Sequence, residues 1–242
     1  MGTPRTRLRL ALIQLRKHRA SQVQEQSCFI ERCQVARRQF EFFNVAHDPS
    51  IRWKDVENAH AILIGGAGSF SVTEEEPFTE PMLDLVREII ERGRPLMGVC
   101  FGHQLMIKAS GGTVEVDPEQ EEIGSYSVSL TEAGRADPLF AGFPSPFWAQ
   151  LGHKDSGGTL GSDWIELAYS ERCRIQAVRL EGAPIYGLQF HADLNEERLR
   201  ERLLVYFDDY IADEEEYDRI IRGLHPSIDA DWLLTRFLEL YA

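Results

Sequence analysis

The chain has 242 residues, of which 43% are hydrophobic and 27% charged, an ordinary composition for a globular protein and a length that buries a core without disulfide or metal staples. Its formal net charge of -13 repels polyanions and argues against nucleic-acid binding. No apolar run approaches the roughly 20 residues of a membrane span, Arg7 and Arg9 interrupt the N-terminal stretch that would otherwise resemble a leader, and Cys28, Cys33, Cys100 and Cys173 lack CxxC or zinc-ligand spacing, so the expectation is a cytoplasmic protein without a membrane partner.

LRLALIQ (8–14) reads as a first strand whose flanking charges border a buried segment, and a helix is expected over 21–37. FEFFNV (40–45), AILIGG (61–66) and PLMGVC (95–100) are short apolar runs of the kind that form strands buried on both faces. Between the last two, PMLDLVREIIERG sets Met82, Leu85, Val86, Ile89 and Ile90 on one helical face and stops at Gly93. Further on, YSVSL (126–130), PFWAQ (146–150), WIELAYS (164–170), RIQAVRL (174–180) and PIYGLQF (184–190) read as strands. The last four are separated by turns rich in Gly, Pro and Ser, as antiparallel additions to a parallel sheet would be.

Helical spacing returns over 195–211, 214–224 and 227–241, with Leu199, Leu203 and Phe207 on one face of the first segment. The acidic run EEEYD (214–218) reads as a solvated helix face. Trp232, Leu233, Phe237 and Leu240 recur at helical spacing and are expected either to cover apolar surface or to form a homodimer contact. The expected fold is a single α/β domain over 1–242: an open, twisted, mostly parallel sheet with helices on both faces, antiparallel strand additions, and a helical C-terminal extension over 208–242.

GVCFGHQ (98–104) stands where a strand runs directly into a helix. Such a turn presents its residue at the carboxyl edge of the sheet, and Gly98 and Gly102 mark places where close backbone packing leaves no room for a Cβ. The helix N-terminus behind Cys100 favours a thiolate. Cys100 is therefore the candidate nucleophile. His191 lies at a strand end, where a lone histidine is more often structural; His103, next along the helix, reads as a structural hydrogen-bonder.

GVCFGHQ, together with GGAGSFS (65–71), EIGSYSVSLTEAGRADPLF (122–140), LGHKD (151–155) and YGLQFHAD (186–193), resembles in order the blocks of class I glutamine amidotransferases. These are Cys-His-Glu hydrolases that release ammonia from glutamine, and the stand-alone GMP-synthetase-like members look nearest. The resemblance implies that Cys100 attacks the carboxamide, His191 moves the protons and Asp193 orients His191. It also implies an oxyanion hole from the backbone N–H groups of Gly66 and Phe101, and substrate contacts at Gly68, Gln104, His153 and Lys154.

No metal or organic cofactor is implied. The implied partners are glutamine or another γ-glutamyl compound and a separate ammonia-acceptor protein. A γ-glutamyl peptide hydrolase, with water as the acceptor, and a catalytically impaired binding or regulatory relative are the alternatives. The chain departs from the family in carrying Ala67 and Ala192 where proline is usual and Asp193 where glutamate is usual. The shorter aspartate implies weak or conditional activity unless the backbone shifts to compensate.

Overall fold

The computed structural model describes residues 3–242. Its strands are β1 (Leu10–Gln14), β2 (Phe40–Asn44), β3 (Ala61–Ile64), β4 (Leu96–Val99), β5 (Thr113–Val116), β6 (Glu122–Leu130), β7 (Phe147–His153), β8 (Asp155–Thr159), β9 (Trp164–Ser170), β10 (Ala177–Leu180) and β11 (Ile185–Leu188). The principal sheet has nine of these in the order β2-β1-β3-β4-β11-β10-β9-β6-β7. From β2 to β11 every neighbouring pair is parallel, and from β11 to β7 every pair is antiparallel. The last strand in the sequence thus lies at the centre and joins the two halves.

The helices are α1 (Arg19–Cys33), α2 (Trp53–Val56), α3 (Thr79–Glu91), α4 (Phe101–Ala109), α5 (Glu132–Ala136), α6 (Glu196–Val205), α7 (Phe207–Tyr210), α8 (Glu214–Arg222) and α9 (Leu233–Tyr241). Strand β1 shows why both faces of the sheet need cover. Leu10 and Leu12 pack into one cluster with Phe29 of α1 and Phe237 of α9, while Ala11 and Ile13 pack into another with Met82 of α3 and Leu105 of α4. A strand whose successive residues are all buried needs apolar helices on both sides.

The expected 21–37 helix ends at Cys33, because Gln34 takes a left-handed conformation (φ 51°) that closes it. The 195–211 segment is broken at Tyr206, which separates α6 from α7. RIQAVRL forms a strand only from Ala177. The two-stranded sheet of β5 with β8 was not legible in the sequence: TVEV is largely exposed and DSGGT carries glycines in place of β-formers. In the C-terminal helix, Leu233 and Phe237 enter the core, whereas Trp232 and Leu240 are 53% and 42% exposed. The helix covers the sheet, as one of the two expectations had it.

Register brings one set of loops together. Ile13 pairs with Ile64, Ile64 with Gly98, and Val99 with Leu188, so β1, β3, β4 and β11 end at a common edge. The residues that follow these ends are Arg16, the Gly65–Gly68 loop, Cys100 and His191. In open α/β sheets this carboxyl edge is where ligands bind.

Candidate active site

Cys100 sits at the β4–α4 junction with φ 52° and ψ -105°, a conformation that a non-glycine residue adopts at appreciable cost. Two close approaches impose it. A Cβ on Gly98 would lie 2.5 Å from Met106 Sδ and 2.6 Å from the Gly102 backbone, and one on Gly102 would lie 2.5 Å from the Ile64 carbonyl oxygen. Helix α4 therefore packs directly on β3 and β4, and the chain has only Cys100 in which to reverse. Its backbone N–H is fixed to Leu188 O at 2.7 Å, and its Sγ lies 3.8 Å from Gly152 O.

The thiol is 7% exposed. Burial pushes it up to about 12, against the opposing pull of Arg16 and the Phe101 backbone N–H. The helix N-terminus thus acts in the expected direction, but desolvation outweighs it. At neutral pH the resting cysteine is a thiol that must give up its proton when it reacts.

His191 follows β11, and its backbone N–H donates to Gln150 O at 2.8 Å. Its Nδ1 is 2.9 Å from Asp193 Oδ1, and the other carboxylate oxygen, Oδ2, accepts from Arg202 Nη1 of α6 at 3.1 Å. The aspartate therefore reaches the imidazole despite its missing methylene. Burial opposes the Asp193 charge, but the His191 ring and the Arg202 guanidinium outweigh it and hold the carboxyl well below the usual carboxylate range. Burial lowers His191 below its ordinary value in spite of Asp193, so the ring is neutral at neutral pH.

The glycine loop closes the arrangement. A Cβ on Gly66 would lie 3.1 Å from His191 Cε1 and 3.6 Å from Cys100 Cβ, so the imidazole and the Cys100 side chain both stand beside Gly66. Gly68 has φ 75°, and its carbonyl oxygen accepts from Tyr210 of α7 at 2.8 Å. Ala67 is buried against the site, and Ala192 is fully buried between His191 and Asp193.

Toward α7, Cys100 opens on a cleft of about 170 Å³ whose lining includes Ser69, Glu74, Gln104, Lys154, Asp155 and Tyr210. Gln104 donates to Asp155 O at 2.7 Å and to Gln189 Oε1 at 3.1 Å. Lys154 Nζ donates to Asp209 O at 2.6 Å. His153 borders the cleft, but its ring is fully engaged inside: Nε2 is 3.1 Å from Glu122 Oε2, and Nδ1 is 3.1 Å from Asp155 O. His103 is likewise buried, packed on Gly187, and burial lowers it to about 3. It is held neutral and does not line the cleft.

Sequence reasoning missed Arg16, Glu25, Arg202, Tyr206, Asp209 and Tyr210. Arg16 and Arg202 are 1% and 5% exposed and border the His191 side of Cys100. The signal available for Arg16 was its position just beyond an apolar strand. Nothing local distinguishes Arg202, Tyr206 or Tyr210 from surface helix residues.

The family model for glutamine amidotransferase class-I matches residues 26–207. Over 111 residues the chain is 36% identical to a glutamine-hydrolyzing GMP synthase subunit of Methanopyrus kandleri, covering 45% of this chain and 58% of that one. Over 155 residues it is 35% identical to a glutamine amidotransferase-like protein of Salmonella typhimurium, covering 63% of each. The chain therefore spans less than two thirds of these relatives. Among solved structures, a glutamine amidotransferase of Thermotoga maritima superposes with a TM-score of 0.76 at 20% identity, covering 97% of this chain and 98% of that one. This likeness extends the shared fold over nearly the whole chain.

Proposed function

Since the chain belongs to the glutamine amidotransferase class-I family, we propose that it hydrolyses the side-chain amide of glutamine, or of another γ-glutamyl amide, through a thioester on Cys100. The observation that carries this reading is the meeting of Cys100 and His191 at Gly66, with His191 Nδ1 bound to Asp193 at 2.9 Å. That bond leaves Nε2 of a neutral ring to take the thiol proton as Sγ attacks the carboxamide carbon. The oxyanion so formed is met by the backbone N–H groups of Phe101 and Gly66. Nε2 then passes its proton to the leaving nitrogen, the C–N bond breaks, and ammonia departs. Water attacks the thioester, giving one proton to His191, and glutamate leaves as that proton returns to sulfur.

Because the thiol rests protonated, attack and proton transfer are coupled, and Asp193 stabilises the imidazolium formed in the same step. Gln104, Lys154 and Gly68 lie on the substrate side of the sulfur, with His153 bracing the wall behind them. One of the relatives is named as a subunit of GMP synthase, which supports a separate protein as the acceptor of the ammonia. The four cysteines are free, which fits action in a reducing compartment.

The test is release of ammonia and glutamate from glutamine, and of glutamate from γ-glutamyl peptides, by the native protein and by Cys100→Ala. The variant is expected to keep the native melting temperature within a few degrees and to lose on the order of a millionfold in turnover. Equal rates for the two proteins would remove Cys100 from the reaction. Hydrolysis of peptides in preference to glutamine would make the chain a γ-glutamyl peptide hydrolase.

A further inference from the structure

At three glycines of the 65–68 loop, the place where a Cβ would stand is taken, or at Gly66 crowded, by a side chain from elsewhere in the fold. At Gly65 it is the Glu25 carboxylate; at Gly66, Arg16 Nη2 at 3.2 Å beside His191; at Gly68, the Tyr206 ring. Glu25, Arg16 and Tyr206 form one chain of contacts. Arg16 Nη2 donates to Glu25 Oε1 at 2.6 Å, Arg16 Nη1 donates to Tyr206 OH at 3.4 Å, and Gln14 Nε2 donates to Glu25 Oε2 at 2.8 Å. The backbone of Arg16 is clamped as well: its N–H donates to Asn44 Oδ1 at 3.0 Å, and its carbonyl accepts from Asn44 Nδ2 at 2.8 Å.

Arg16 and Glu25 have side chains 1% and 0% exposed. Burying two charges costs several kcal/mol per ion before their attraction offsets it, and an apolar pair of like volume is often as stable. The pair thus has no evident purpose in stability alone, and its arginine stands in the wall of the small space that Cys100 and His191 share.

We propose that Arg16, held by Glu25 and Tyr206, is a positioning residue for the amidase reaction: it fixes the glycine loop so that the Gly66 N–H meets the oxyanion, and its charge favours the thiolate of Cys100. The proposal rests on Cys100 being the nucleophile, as read above. The titratable and charged groups around the sulfur are Arg16 after β1 with Glu25 of α1 behind it, Asp193 and His191 after β11, Arg202 of α6, Tyr206 and Tyr210, and on the cleft side Asp155 of β8, Lys154, Glu74 and Asp209. The carboxylates oppose a thiolate, and Arg202 is taken up by Asp193. Burial raises the Cys100 thiol, and Arg16 is the side-chain cation that acts most against it. Loop and charge are coupled because the guanidinium nitrogen that binds Glu25 also stands 3.2 Å from where a Gly66 Cβ would lie.

The test reads two quantities. The rate at which iodoacetamide alkylates Cys100, at a pH below the thiol's midpoint, is proportional to the thiolate fraction, and it needs no turnover. The second quantity is kcat for glutamine. Arg16→Lys keeps the charge and loses the planar fork. The double variant Arg16→Gln with Glu25→Gln removes both charges and leaves no buried ion unpaired.

A neighbouring opposite charge moves a pKa by about 1–3 units; the double variant also removes the Glu25 carboxylate, which opposes the thiolate less than Arg16 favours it, so its alkylation is expected to slow by about threefold or more and its kcat to fall roughly a hundredfold. Arg16→Lys is expected to keep its alkylation rate within about twofold and to lose about tenfold in kcat. Native rates in both assays for the double variant overturn the proposal, and so do equal losses in both assays for the two variants. If circular dichroism shows the double variant unfolded, Arg16→Lys decides: a slowed alkylation in it overturns the proposal. A native protein that releases no ammonia, while Arg16 still sets the alkylation rate, would sink the amidase reading and leave the charge effect standing.

Discussion

Cys100 has two unlike surroundings. Toward His191 there is space for about 30 Å³, walled by the buried arginines Arg16 and Arg202 and by Leu199 and Leu203. Toward Lys154 there is a cleft of about 170 Å³ whose polar groups are satisfied by one another: Ser69 donates to Asp209, Ser71 to Asp155, and Lys154 to the Asp209 carbonyl. The first side holds fixed charges in place before any ligand arrives. The second side consists of hydrogen bonds that a ligand must exchange for its own. In such a division the closed side governs the chemical step and the open side governs binding, so substitutions on the two sides should separate kcat from KM.

The largest effect is expected on the closed side. Asp193→Asn keeps the shape but removes the charge that, in the proposed reaction, stabilises the imidazolium, and a comparable change in a serine triad costs about 10⁴ in kcat. Steady-state kinetics should show this loss with KM little changed; a loss carried by KM would dissolve the division. Asp193→Glu restores the residue usual in the family but adds a methylene where contact is already made at 2.9 Å on one side and 3.1 Å on the other. A displacement of about 1 Å costs on the order of a hundredfold, so activity should fall. A rise would mean that the resting contact is not the working one.

On the open side, Lys154→Ala is expected to raise KM about tenfold with kcat nearly constant, a pattern that marks uniform binding. The smallest effect concerns pH. In the proposed reaction His191 must be neutral to accept the thiol proton, and burial lowers its pKa. The neutral ring therefore persists to more acid solution than a free imidazole would, and the acid limb of kcat/KM should lie below about pH 6.5. A limb above that value would show Asp193 to prevail over burial in the working enzyme.

The elbow was legible because its causes are local. Gly98 and Gly102 are separated from Cys100 by one residue each, and whether a Cβ fits between a strand and the helix that follows it is settled within those few positions. The buried strands β1, β3 and β4 announced themselves by continuous apolar runs, and the helical segments by their spacing. Their ends were less legible. Gln34 and Tyr206 are ordinary residues whose stopping role comes from what surrounds them.

The sequence by itself determined the parallel core and the strand-to-helix turn at Cys100, since these follow from the period of apolar residues and from short-range sterics; His191 was reached through the family resemblance of its segment. Only the tertiary structure decided what surrounds the sulfur. Arg16 meets Tyr206 across 190 positions, and Asp193 meets Arg202 across nine. A buried charge leaves no periodic trace, because its partner is chosen by packing and not by spacing. The same holds for the protonation of Cys100, which the helix N-terminus alone would lower and which burial raises. Desolvation depends on every atom that excludes water, and that sum exists only once the chain has folded.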